Sequence, residues 1–195
     1  MTTQLTLKLI AVSALLMGAG GTFGQHSHQP SLNASPYAGQ QTREIKALSP
    51  AQTADLQAGK GMELAKAAEL NGYPGPMHTL ELAAQLNLSA EQKQASEALM
   101  TRHKAEARNL GAQLVEAERG LDQAFASRQI DAARLAAHTE RIGQLQALLR
   151  KSHLETHLLQ SALLTPEQIT RYAQLRGYAG TVDAAAPPAP SIHKH

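Results

Sequence analysis

The sequence contains no cysteine and no tryptophan, and only 3% of its 195 residues are aromatic. The absence of cysteine excludes disulfide bonds and thiolate chemistry. Alanine, leucine, glutamine, glutamate and arginine dominate instead, and these residues favour helix at little cost. The net charge of +2 argues against nucleic-acid binding, because such proteins usually present a strongly basic face. We therefore expect an all-α protein.

Long apolar runs are also scarce, and the one candidate lies at the start of the chain. Lys8 precedes an apolar stretch over residues 9–17, which gives way to small residues before Gly24. This pattern is typical of a signal peptide, and the stretch is too short for a membrane-crossing helix. We expect residues 1–24 to be removed on export, which leaves no membrane span. The alternative is a retained amphipathic anchor.

The rest of the chain divides into two tails and one helical domain. Residues 25–42 and 180–195 are rich in small and polar residues, proline and histidine, so we expect both to be disordered. The domain spans residues 43–179. Its patterns predict five helices, over residues 49–70 with a kink at Gly59 and Gly61, and over residues 77–86, 89–127, 131–163 and 165–177.

The two longest predicted helices each carry an apolar seam with spacings of three and four residues. The seam residues are Leu99, His103, Ala107, Leu110, Leu114, Ala117, Leu121 and Phe125, then Leu135, His138, Ile142, Leu145, Leu149, Leu159 and Leu163. Because only residues 127–130 connect them, the two helices should form a long antiparallel hairpin. We expect the short flanking helices and a second copy of the chain, in a homodimer, to cover the remaining apolar surface.

A short motif, leucine followed by Ser or Thr, two residues and Gln, occurs three times. Its copies are Leu48, Ser49 and Gln52; Leu88, Ser89 and Gln92; and Leu164, Thr165 and Gln168. Each copy predicts a capping box, in which the hydroxyl accepts the N3 backbone N–H and the Gln side chain accepts the N-cap N–H. The motif therefore predicts three helix starts.

These motifs, with an export signal, a helical hairpin and disordered tails, resemble the Spy/CpxP family of bacterial periplasmic proteins. That family is related to the periplasmic heavy-metal sensors of ZraP and CnrX type. The resemblance covers roughly residues 43–178, and the motif copy at Leu48 and the stretch over residues 59–76 go beyond the minimal pattern. It implies a dimeric, cradle-shaped α-helical protein that acts as an ATP-independent chaperone or envelope-stress protein, or as a metal sensor.

We expect the protein to be a chaperone of this kind, with the metal sensor as the alternative. It would hold unfolded or envelope proteins through scattered apolar and basic side chains. The basic candidates are Arg102, Lys104, Arg108, Arg119, Arg134, Arg141, Arg150 and Lys151. The alternative for each one is a solvated position on a helix surface. A further alternative for the whole chain is a partner protein that modulates a sensor kinase without general chaperone activity.

The histidines support the metal-binding alternative. Four lie in the two tails, at His26, His28, His193 and His195. In the hairpin, a turn centred near residue 128 sets His103 opposite Leu154, so that His103 would face His153 and His157. With Glu106 nearby, three imidazoles could hold Zn²⁺, Cu²⁺ or Ni²⁺. The alternative is that His103 packs in the seam while the other two are half-exposed.

Motifs of catalysis are absent from the sequence. It has no Gly-rich phosphate loop, no Gly-x-Ser-x-Gly elbow and no His-Glu-x-x-His zinc signature. His153 and His157 have the i, i+4 spacing of a zinc protease, but Glu155 is not adjacent to the first histidine. We expect that the protein is not an enzyme and requires no cofactor, unless it binds Zn, Cu or Ni.

Overall fold

The computed structural model describes residues 35–178, which contain six α-helices and no strand. The helices are α1 Pro50–Ala58, α2 Lys66–Glu69, α3 Pro76–Glu81, α4 Ala90–Ala126, α5 Ala132–Ala162 and α6 Pro166–Leu175. The chain divides after Ala38, and residues 35–38 form a separate turn. The predicted signal peptide over 1–24, residues 25–34 and the tail over 180–195 lie outside the described residues.

Helices α4 and α5 form the predicted antiparallel hairpin, and α1 packs against its middle. The main core consists of Ile45, Leu56, Ala107, Leu110, Leu114, Val115, Ile142, Leu145 and Leu149. A second cluster, of Leu86, Leu88, Leu164 and Tyr172, joins the starts of α4 and α6. The predicted register is nearly right, because His103 contacts Ser152 and His153 rather than Leu154. The all-α hairpin is therefore confirmed.

All three predicted capping boxes are present. Ser49, Ser89 and Thr165 each accept the N–H of the Gln three residues later, and each Gln side chain accepts the N-cap N–H. Asp131 caps α5 by accepting the Arg134 N–H at 2.8 Å. These caps satisfy backbone N–H groups that a helix start otherwise leaves without partners.

The prediction of one kinked helix over residues 49–70 is wrong. Helix α1 ends at Ala58 because Gly59 adopts a left-handed conformation, with φ of 65°, and closes the last turn on Asp55 and Leu56. A side chain at Gly59 would also meet the backbone of α4, 3.1 Å from the Arg108 nitrogen. The chain then forms a loop over residues 59–65 before the single turn of α2.

Helix α3 is also shorter than the predicted helix over residues 77–86. Helix α3 ends at Glu81, and turns continue to Asn87, whose φ of 50° is left-handed. Asn87 tolerates this conformation better than most residues, and it lets the Leu88 N–H reach the Ala83 carbonyl at 3.0 Å. The chain thereby enters the cap of α4 directly.

The ends of the predicted seam are not buried. Phe125 is 53% exposed, Leu135 39% and Leu159 45%, whereas Leu110 and Leu145 in the middle are buried. These three positions therefore belong to the apolar surface that the hairpin leaves open within one copy of the chain, and its cover by a second copy stays a prediction. Helix α1 covers only the middle of the hairpin, so the tip has no further described helix against it.

Candidate metal-binding cleft

A cleft of about 880 Å³ opens between the hairpin and the segment over residues 58–78. Its side chains come from α4, α5, the loop over 59–65, α2, α3 and the segment over 176–178 that follows α6. Of the five methionines in the chain, Met1 and Met17 lie outside the described residues, and the other three line this cleft. So do four of the five described histidines, with only His138 elsewhere. We call it the His–Met cleft, lined by Met62, Met77, Met100, His78, His103, His153 and His157.

His103 and His153 form a buried pair across the hairpin. Nε2 of His103 lies 3.1 Å from Nδ1 of His153, and Nδ1 of His103 lies 3.2 Å from the Ser152 hydroxyl. The rings meet edge to face with centroids 4.5 Å apart. Nε2 of His153 is buried and has no hydrogen-bond partner. His103 thus uses both ring nitrogens, whereas His153 keeps one free.

Burial disfavours a positive charge on this pair. Burial, and after it the neighbouring His103 and His157, lower the pKa of His153 to about 4. Burial also lowers the pKa of His103, against a smaller opposing effect of Glu106, which is exposed on α4. Both imidazoles are therefore neutral near pH 7, which is the state in which histidine binds a metal ion.

His157 lies one turn further along α5 and is oriented by the backbone. Its Nδ1 lies 2.7 Å from the Tyr73 carbonyl oxygen, which only accepts, so Nδ1 donates and Nε2 carries the lone pair. A methyl group at Gly75 would lie 2.7 Å from Cε1 and 2.8 Å from Nε2 of this ring. Gly75 therefore leaves the space that the imidazole of His157 occupies.

His78, which the sequence analysis did not single out, also lines the cleft. Its Nδ1 lies 2.7 Å from the Glu81 carboxylate, one turn along α3. The sequence Pro76-Met77-His78 places two possible metal ligands next to each other, but the prolines and glycine over residues 74–76 indicated only a rigid turn. Three cleft histidines, His78, His153 and His157, thus have Nδ1 engaged and no described hydrogen bond at Nε2.

A partly buried carboxylate, that of Glu69, lies at one end of the cleft. Glu69 Oε1 accepts the hydroxyl of Tyr172 at 2.6 Å and that of Tyr178 at 3.1 Å. The Arg176 guanidinium lies 3.5 Å from the same oxygen. Burial, and then the Glu69 carboxylate, raise the pKa of Tyr172, which keeps this hydroxyl a donor. The network links α2 to α6 and positions Tyr178 at the cleft.

The predicted site of three imidazoles is brought together only in part. His103 and His153 are in contact and His157 lies in the same cleft, but His103 has no free nitrogen. Among the described residues, no group of three or more His, Cys, Asp or Glu side chains is arranged to hold an ion. The Nε2 atoms of His153 and His157, which have no described hydrogen bond, line the same cleft as three methionines.

The predicted basic residues do not form one surface. Lys104 and Arg108 line the cleft. Arg119 pairs with Glu44 and Glu116, and Arg134 with Asp131. Arg141 donates to Gln113 at 2.7 Å, Lys151 pairs with Glu155, and Arg102 and Arg150 are exposed.

Comparison with known proteins identifies the family of the chain. The sequence model of a heavy-metal resistance family matches residues 65–171, more than half of the chain. No curated protein and no solved structure matches the chain. In the part of the chain that the structure describes, no helix is long and apolar enough to cross a membrane. The resemblance is thereby confirmed, and the chain belongs to the heavy-metal resistance family of Spy/CpxP and ZraP type.

Proposed function

We propose that the protein is a periplasmic heavy-metal-binding protein that takes its ion in the His–Met cleft. The observation that carries this proposal is the pair of uncommitted Nε2 atoms on His153 and His157, one turn apart on α5. Residues at i and i+4 lie on the same helix face, so both nitrogens can serve one ion. The family that the chain belongs to supports the same conclusion.

The surroundings of both histidines resemble those of metal ligands. A histidine that binds a metal through one nitrogen almost always donates its other ring N–H to an acceptor, which fixes the tautomer. The Tyr73 carbonyl does this for His157. For His153 the acceptor is Nε2 of His103, provided that Nδ1 of His153 carries the proton. His103 then donates its own Nδ1–H to the Ser152 hydroxyl. That arrangement leaves a buried lone pair, rather than a buried N–H, without a partner at His153.

In this proposal the chain supplies oriented imidazole donors at the wall of an open cleft. The ion supplies only the attraction that draws these donors together. Since the ion binds the folded state, it stabilises the fold in proportion to the logarithm of its concentration. The protein acts by sequestering or reporting the ion, so we propose that it is not an enzyme and needs no further cofactor.

Calorimetric titration of the purified, metal-free chain with Cu(I), Ag(I), Zn²⁺ and Ni²⁺ tests this proposal. The four tail histidines, His26, His28, His193 and His195, are first replaced by alanine so that they do not contribute. In that background, His153→Gln and His157→Gln should each weaken binding by at least about tenfold. His138→Gln, outside the cleft, is the matched control and should change nothing. Equal affinity in all three variants would contradict the proposal.

A second candidate function, an ATP-independent chaperone, is supported by a different surface. Leu148, Leu158 and Leu159 are between 45% and 55% exposed on α5, close to the exposed Arg150 and Lys151. Apolar and basic side chains together suit weak binding of unfolded, acidic segments. The metal-free chain should then suppress aggregation of a denatured client, and Leu148→Gln with Leu159→Gln should abolish this while His153→Gln does not. Binding of one partner alone, without general suppression, would favour the kinase-modulating alternative.

The proposal includes export through residues 1–24 and pairing with a second copy. Pairing is supported by Phe125 and Leu135 near the hairpin tip, whose apolar side chains are 53% and 39% exposed. Analytical ultracentrifugation of the purified chain should give the mass of a dimer, and Phe125→Gln should shift it towards the monomer. A monomer at all concentrations would contradict pairing and leave the metal site unaffected.

A further inference from the structure

The methionines are placed where hydrophobic burial does not account for them. Neither core cluster of the described residues contains a methionine. Met62 is 37% exposed and Met77 48% exposed, although both could have been leucine or a polar residue. They reach the same cleft as Met100 from three separate elements, the loop over 59–65, α3 and α4.

Met62 is also held in an unfavourable backbone conformation. Its φ is 42°, and that of the next residue, Glu63, is 61°. Both lie in the left-handed region, where glycine or asparagine would be easier to accommodate. Strain of this kind persists where surrounding structure over-determines it, and it clusters at ligand-binding sites. The loop thus keeps a thioether at the cleft at some cost.

The chemistry of the available donors limits which ions they suit. Thioether sulfur is a soft ligand that selects Cu(I), whereas imidazole also suits Zn²⁺ and Ni²⁺ and carboxylates suit harder ions. With no cysteine in the chain, methionine is its only sulfur ligand. In the Glu69 carboxylate at the cleft's end, Oε1 accepts two tyrosine hydroxyls, and Oε2 lies 3.7 Å from Nδ1 of His157 without a hydrogen-bond partner. Apart from this one carboxylate, the described residues offer no carboxylate-rich group for an ion.

We infer, building on the proposed function, that the ion of the His–Met cleft is a soft monovalent one, Cu(I) or Ag(I). The thioethers of Met62, Met77 and Met100 complete the ligand set that His153 and His157 begin. Selectivity over Zn²⁺ and Ni²⁺ comes from the sulfur atoms, and the two imidazoles set the position. No redox step is involved, since the ion enters and leaves in the same oxidation state.

Leucine substitutions isolate the sulfur atoms, because leucine keeps the apolar volume of methionine and lacks its thioether. In the background without tail histidines, the triple variant Met62→Leu, Met77→Leu and Met100→Leu is titrated with Ag(I), and with Cu(I) against a chromophoric chelator. Each lost ligand should weaken binding by at least about tenfold, since even outer partners of a metal site cost that much. Zn²⁺ binding should be unchanged. Leu148→Met, which adds an exposed thioether on α5, should not raise Ag(I) affinity.

The outcomes separate this inference from the proposed function. Undiminished Ag(I) and Cu(I) affinity in the triple leucine variant would overturn the inference, and the methionines would then be only an apolar surface. If His153→Gln still weakened binding in that case, the proposed function would stand. X-ray absorption at the copper edge gives a second readout, in which the parent chain should show sulfur neighbours and the triple variant only nitrogen or oxygen. Circular dichroism verifies that the variants keep their helices.

Discussion

The side-chain amides of Gln92 and Gln168 bond each other in both directions, with N–O distances of 2.8 and 3.0 Å. Each Oε1 also accepts the N–H of its own helix cap. Each Nε2 donates further to a carbonyl at the other helix start, at Leu163 and Leu86. The repeated motif therefore does more than cap helices, because its second and third copies bind α4 to α6.

Replacing Gln92 or Gln168 should destabilise the protein more than replacing Gln52, the glutamine of the first motif copy. Gln52 closes only its own capping box, so Gln52→Ala should lower the free energy of unfolding by about 1 kcal/mol or less. Gln92→Ala and Gln168→Ala each leave partly buried hydrogen-bonding groups without partners, so each should lower the free energy of unfolding by about 2–3 kcal/mol. Urea unfolding measures this, and the double variant should cost less than the sum of the singles. Equal costs at all three positions would contradict the clamp.

Two helix-interior glycines should respond oppositely to alanine. A Cβ at Gly111 would lie 2.1 Å from the Leu56 carbonyl oxygen, where α1 crosses α4. Gly111→Ala should therefore force the helices apart and destabilise the protein by about 1–3 kcal/mol. At Gly143 a Cβ would meet nothing, so Gly143→Ala should stabilise by about 0.5–1 kcal/mol. Thermal unfolding of both variants checks the sign of each effect.

Some of this could be predicted from the sequence and some could not. Caps are local, so Ser89 and Thr165 located helix starts correctly, and the short connection after Ser127 set the hairpin register to within a residue or two. The prediction for the end of α1 was wrong because Gly59 was interpreted as a kink within one helix. Its left-handed φ and its close contact with α4 end the helix there instead. The cleft was not predicted because Met62 and His78 come from separate segments of the chain, and only the folded structure places both along one cleft.

Gly75 should control the metal site through His157. Gly75→Ala would place a methyl group against the imidazole, and the ring would have to leave its position beside the Tyr73 carbonyl. We expect metal affinity to fall by about 10- to 100-fold, as for other losses of ligand orientation. Gly61→Ala is the control, since Gly61 lines the same cleft with open space around it. Equal affinity in the two variants would show that His157 does not bind the ion.

His103 should act as a positioning residue rather than a ligand. His103→Leu suits a buried place in the seam but removes the acceptor for Nδ1 of His153. The folded state should survive, while metal affinity falls by about 10- to 100-fold. Nitrogen spectroscopy should still find both His153 and His157 bound to the ion. His138→Leu, the control outside the cleft, should leave affinity unchanged, and an unaffected His103→Leu variant would refute this role.

The most direct measurement of the central claim is a ¹H–¹⁵N correlation spectrum of the histidine rings, recorded as Ag(I) is added to the chain without tail histidines. The account predicts that the Nε2 resonances of His153 and His157 shift together and are complete at about one equivalent, as expected for two ligands of one ion. Their Nδ1 atoms should remain protonated, and His138 should not move. A spectrum in which His153 and His157 keep their free-state shifts while the ion binds elsewhere would contradict the account.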